Sequence, residues 1–82
     1  MAKKLEFRVC QVQEAKVTYV NGKWQGKMAL SPDHVAEAIA GCPEEWDYLQ
    51  SAGADGWDLA GVAGGVGGDL SVRMLYLRRE LA

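Results

Sequence analysis

With 82 residues the chain has room for one domain and one modest core, a size at which stability is marginal unless disulfides, a metal or further subunits add to it. Nine Lys and Arg against eleven Asp and Glu give a net charge of −2, so no electrostatic footprint for nucleic acid is visible. Cys10 and Cys42 belong to no CxxC or Cys/His cluster, which argues against a disulfide scaffold and a zinc site and leaves them as small buried hydrophobes in a reducing compartment. Oligomerisation is the remaining supplement. No apolar run approaches the roughly 20 residues of a membrane span, and charges interrupt the N-terminal stretch where a secretory signal would be apolar. The expectation is a cytoplasmic protein, with no membrane and no nucleic acid among its partners.

Leu5, Phe7 and Val9 alternate with Glu6, Arg8 and Cys10, the pattern of a first strand, and its other face turns apolar at Cys10 and Val12. Gln13 through Lys16 loosens the pattern. Val17 to Val20 and Lys23 to Gln25 then flank Asn21-Gly22. Both central residues of a type I′ turn need positive φ, so this pair predicts a small β-hairpin standing off from the main sheet. Trp24 at its tip binds a ligand, covers the hairpin's own apolar face or packs on a neighbouring subunit; the sequence favours the last two.

Ser31-Pro32-Asp33 predicts a helix start, with Ser31 as cap, Pro32 at the first position and Asp33 against the positive end of the dipole. Val35, Ala36, Ile39 and Ala40 form its apolar stripe, and Pro43 interrupts it. Residues 32–52 are either one kinked helix or two. His34 is the one histidine; its neighbour Asp33 does not face it on a helix, so a solvated position fits better than catalysis. Trp46, Leu49 and Ala52 continue at helical spacing until Gly53, the expected stop. Beyond it Trp57, Leu59, Gly61 and Ala63 alternate with Asp58, Ala60 and Val62 as a strand anchored by Trp57 in the core. Ala63 to Asp69 is glycine-rich but precedes a strand, Leu70 to Leu77, and not the helix that a phosphate cradle requires. It reads as a hairpin loop. Lys3, Lys4, Arg73, Arg78 and Arg79 read as solvated strand ends.

The run from Trp46 to Leu59, WDYLQSAGADGWDL, resembles the LNxLGAEGWEL signature of a family of small bacterial proteins known as a domain of unknown function. Phe7-Arg8-Val9, Asn21-Gly22-Lys23-Trp24 and Leu75-Tyr76-Leu77-Arg78-Arg79 are similar to that family's opening strand, NG-x-W hairpin and closing strand. Ala52 stands where the pattern has leucine, Asp55 and Asp58 where it has glutamate, and the glycine loop is longer. The resemblance implies a strand–helix–strand–strand domain and no particular activity.

The fold class that follows is α+β, a mainly antiparallel sheet (strand, hairpin, helix, strand, strand) in a single domain, residues 1–82, with helix on one face. Simple alternation places Leu5, Phe7, Val9, Trp57 and Leu59 under the helix and leaves Cys10, Val12, Val62, Leu75 and Leu77 on the other side. One helical layer cannot cover both, so a homo-oligomer is expected, with Cys10, Val12, Trp24, Val62, Leu75 and Leu77 as its contact residues. The expected function is a non-enzymatic assembly or accessory protein that works without cofactor or metal. The alternative is a small-molecule binding protein with a pocket between subunits, lined by Trp24, Trp46 or Trp57. Asp33, Glu44, Glu45, Asp55, Asp58 and Asp69 supply carboxylates, but none shows a partner suited to acid–base chemistry.

Overall fold

The structure, a computed structural model, describes residues 3–65 and 72–81. Five strands, β1 (Leu5–Gln13), β2 (Lys16–Val20), β3 (Lys23–Trp24), β4 (Asp58–Gly64) and β5 (Val72–Glu80), and two helices, α1 (Val35–Ala40) and α2 (Glu45–Ala54), follow one another as β1-β2-β3-α1-α2-β4-β5. The strands form one antiparallel sheet of order β3-β2-β1-β5-β4. This is the expected α+β architecture. The glycine-rich loop and the start of the predicted last strand (66–71) lie outside the described residues. No described helix is long and apolar enough to cross a membrane.

The β2–β3 turn has a local cause. Asn21 and Gly22 take φ of 50° and 79°, as a two-residue I′ hairpin demands. Asn21 also holds Val9, whose N–H donates to Asn21 Oδ1 at 2.8 Å while Asn21 N–H donates to the Val9 carbonyl at 2.8 Å. The hairpin is therefore stitched into the sheet and does not stand off from it. A second tight turn, which the sequence did not suggest, joins β1 to β2 through Glu14 and Ala15, at φ of 52° and 61°. Neither is a residue that favours this region. Replacing Ala15 by glycine should relieve the Cβ clash and, net of the extra freedom glycine gains when unfolded, stabilise the domain by about 0.5–1 kcal/mol. A rise in the urea midpoint would register it; a fall would show that the left-handed turn is unstrained.

Ser31 does not cap a helix. Its carbonyl accepts the His34 N–H at 3.0 Å, closing a turn with Pro32 inside it, and α1 begins only at Val35. Proline presets φ for the second position of such a turn as readily as for a first helical position. α1 buries Ala38 and Ile39 beside β2, and the chain then returns along β2, where Val17 N–H donates to the Pro43 carbonyl at 2.8 Å. Two separate helices result.

α2 passes through Gly53 without stopping and ends at Asp55 and Gly56. Trp57 N–H donates to the Ala52 carbonyl and Gly56 N–H to the Gly53 carbonyl, both at 3.0 Å. With Gly56 at φ 91°, these two bonds form a Schellman cap, which satisfies the helix's last carbonyls. Trp57 and Ala52, both buried in the same cluster, supply the hydrophobic contact that accompanies this motif. The two glycines should therefore respond oppositely to alanine. Gly53→Ala sits within a helix with open space around the added methyl and should stabilise by about 0.5–1 kcal/mol. Gly56→Ala at positive φ should cost about 1–2 kcal/mol. Thermal melts of the two variants that moved the same way would contradict this cap.

In β1 and β5 the core face is the reverse of the expected one, whereas Trp57 and Leu59 lie on the helix-bearing side as expected. Cys10, Val12, Val17, Leu75 and Leu77 are buried against Ala52, Trp57, Tyr48 and Leu49, so α2 lies over the face that simple alternation leaves bare. Leu77 is 1% exposed whereas Phe7 is 60% exposed. Cross-strand partners share a face in an antiparallel pair. Cys10 stands opposite Leu75, and Val9 opposite Tyr76, Phe7 opposite Arg78 and Leu5 opposite Glu80 on the other side. In β4 a register shift between Leu59 and Gly61 is a bulge that places Leu59 and Val62, opposite Leu77 and Leu75, on one side. Trp57 precedes the strand.

Candidate functional site

Two arrangements could carry function: the uncovered face of the sheet, and a polar cluster beside Trp57. The uncovered face is built by the odd-numbered residues of β1 and their neighbours. Leu5, Phe7 and Val9 run down its centre, Tyr76 and Met74 flank them on β5, and Tyr19 stands opposite Gln11 on β2. On β4 the residues of this side are small, with Gly61 opposite Tyr76 and Ala63 opposite Met74. The face is thus an aromatic and aliphatic ridge beside a shallow recess. Its ends are polar: Lys3, Arg78 and Glu80 at one end, with Lys3 Nζ 2.9 Å from Glu80, and Gln11 and Gln13 at the other, joined at 2.9 Å. A depression of about 280 Å³ on the same face is lined by Val9, Gln11, Tyr19, Gly22 and Met74.

The expected contact residues divide accordingly. Cys10, Val12, Leu75 and Leu77 lie beneath α2 and are unavailable to a second subunit unless the core opens. Val62 is 56% exposed, on the helix-bearing side at the β4 edge. Trp24 is half-buried against its own hairpin: its ring meets Tyr19 edge-on at 5.3 Å and its Nε1 donates to the Met28 carbonyl at 2.8 Å. A Cβ on Gly26 would lie 2.6 Å from the Trp24 ring, so glycine there is what lets the indole fold back. None of the three tryptophans lines the depression. Trp46 is exposed on α2 and Trp57 is buried.

In the second arrangement, Arg8 and Arg79 extend from adjacent strands on the helix-bearing side. Their guanidinium carbons stand 4.3 and 4.5 Å from the Trp57 ring centroid, within cation–π range. Arg79 pairs with Glu6, its Nε donating to Glu6 Oε1 at 2.6 Å, and Nη1 donates to the Asp55 carbonyl at the α2 C-terminus at 3.1 Å. Arg8 donates to the Tyr48 hydroxyl at 2.9 Å. Burial pushes the Cys10 thiol up, with its hydrogen bond to Tyr48 and the Arg8 charge pulling the other way. Burial likewise raises the Tyr48 phenol, with Cys10 adding to the rise and Arg8 opposing it. Both are neutral near pH 7, so neither is a nucleophilic anion. Cys42 is also raised by burial, against the pull of Lys16.

Several other titratable groups are held in structural contacts. Glu45 accepts from Arg73 at 2.7 Å and Glu44 from Lys16 at 3.2 Å. His34 Nδ1 lies 3.6 Å from Glu37 on the exposed side of the α1 start. Asp69 lies outside the described residues. Among the described residues no three His, Cys, Asp or Glu side chains converge as metal ligands. Sequence reasoning missed the Arg8–Trp57–Arg79 cluster. Its signal was the charge alternation of the first strand, Glu6 and Arg8, against the paired arginines of the last. Comparison with protein-family models, curated proteins and solved structures finds no match to this chain.

Proposed function

We propose that the chain is a non-enzymatic self-assembly module in which the uncovered sheet face closes on a second copy of itself. The observation that carries this reading is the run of Leu5, Phe7, Val9, Tyr76 and Met74 on a face that neither helix covers. Five strands about 4.8 Å apart and about six residues long make a face of roughly 500 Å². Two copies together bury on the order of 1,000 Å², the lower bound for a specific interface. Apolar centre and polar ends match the anatomy of such interfaces. The small residues of β4 give the ridge of one copy somewhere to lie when two twisted sheets pack nearly aligned, and a two-fold axis makes the contact self-complementary. Size-exclusion chromatography with light scattering tests it. A dimer or closed higher oligomer at micromolar concentration is expected, and a monomer that persists to about 100 μM, where even weak interfaces populate, would remove the reading.

The depression favours a second role on the same face, binding a small molecule between subunits. A second copy would roof it, and about 280 Å³ lies just below the usual range for small-molecule pockets. A metabolite panel scored by thermal shift tests this, provided that any hit is lost on Gln11→Ala, which removes the polar group on its wall.

A further inference from the structure

The geometry points to an oxyanion-binding site, for a carboxylate or phosphate group, formed by Arg8, Tyr48 and the indole N–H of Trp57 on the helix-bearing side of the sheet. Three observations converge there. Trp57 is 7% exposed, and its Nε1 is buried without an acceptor among the described residues. A buried donor left unpaired is costly and uncommon, and calls for an explanation. Arg8, half-buried beside it, has no carboxylate within ion-pair distance among the described residues; its polar partner is the neutral Tyr48 hydroxyl. Arg79 on the same ring already holds Glu6 and the Asp55 carbonyl, so the local charge is one cation in excess.

Among the described residues there is no anion to balance it. Cys10 and Tyr48 are the acidic groups in contact with Arg8, and burial keeps both protonated. The cluster is therefore rich in donors and lacks an acceptor. A guanidinium with a hydroxyl and an indole N–H at its side matches the two or three acceptor oxygens of a carboxylate or phosphate, and such charge-assisted bonds are the strong ones. The Trp57 N–H has almost no free surface. Binding therefore requires the side chains packed on the indole to move, and we assign that movement to Arg8, which would leave the ring to pair with the anion. This site is on the opposite side of the sheet from the proposed dimer face, so either can fail without the other.

The test is a titration of the full chain with sodium acetate and, separately, sodium phosphate, with ionic strength held constant by sodium chloride. It is followed by the three indole N–H resonances, with Trp57 assigned through Trp57→Phe. The expected result is a saturable shift of the Trp57 resonance larger than those of Trp24 and Trp46, with one anion saturating first and so naming the class. Arg8→Gln should weaken binding at least about tenfold, the loss typical of a charge-assisted bond. Tyr48→Phe, which keeps the ring, should weaken it several-fold and serves if Arg8→Gln does not fold. No saturable shift with either anion, an equal response to chloride, or unchanged affinity in the folded variants would overturn the site.

Discussion

Trp57→Ala should remove most of the domain's stability. The indole fills the angle between the Schellman cap of α2 and the start of β4, it is buried with Ala52, Leu75 and Leu77, and two guanidinium groups rest on it. Truncating a buried tryptophan costs about 3–5 kcal/mol through lost transfer free energy and residual cavity. Arg8 and Arg79 would lose their shared ring, leaving like charges close together on adjacent strands. Against a total of roughly 4–12 kcal/mol for a chain of this length, that loss leaves a substantially unfolded population under mild conditions. Trp57→Phe should cost less than half as much, because it keeps the aromatic faces and removes an indole N–H that has no acceptor among the described residues. Urea denaturation followed by far-UV circular dichroism measures both. If Trp57→Ala lay within about 1 kcal/mol of the parent, the ring would be ornamental and the packing described here wrong.

Phe7→Glu should separate assembly from folding. Phe7 is the most exposed large side chain at the centre of the uncovered face, so the monomer loses little when it is replaced. Its cross-strand neighbour is Arg78, which gives the new carboxylate an opposite charge beside it, an arrangement worth a few tenths of a kcal/mol in a sheet. In the proposed dimer the same change removes roughly 150 Å² of apolar contact, about 4 kcal/mol at 25 cal/mol per Å², and buries a charge at the centre. Association should weaken by at least about 100-fold, while the melting curve extrapolated to low concentration stays within about 1 kcal/mol of the parent. Light scattering across a dilution series, paired with thermal melts, gives both numbers. An intact oligomer with Phe7→Glu would move the contact elsewhere.

The elements were legible in the sequence because their signals are local. Asn21-Gly22 names its own turn, and Trp46, Leu49 and Ala52 sit at helical spacing. The glycine–tryptophan pair marks where helix gives way to strand, although the stop is Gly56 and not Gly53. What could not be read was which side of the sheet is inside. In β1 the residues Leu5, Phe7 and Val9 look like a core face beside Glu6 and Arg8, yet these two charges point toward the helix layer. They are tolerated because Glu6 meets Arg79, and Arg8 meets Tyr48 and the Trp57 ring. Those partners come from the far end of the chain and from α2, beyond the reach of any periodicity. The bulge after Leu59 and the Glu14-Ala15 turn were hidden for a related reason. Tertiary pairing imposes them on residues that do not prefer them.

The zipping of β1 to β5, Leu5 to Glu80 through Gln13 to Val72, has a consequence for how the molecule comes into being. Paired residues of the central strand and its β5 neighbour are roughly 60 to 75 positions apart along the chain, so the central strand gains its second partner only after every other strand of the sheet has been made. Until β5 emerges from the ribosome, β1 has only the β2 hairpin beside it, and α2 has half a platform to rest on. Contacts this distant demand closure of a long loop before they return any stabilisation, which slows the search. Nascent chains should thus stay protease-sensitive until the final strand is out, then mature in one cooperative step.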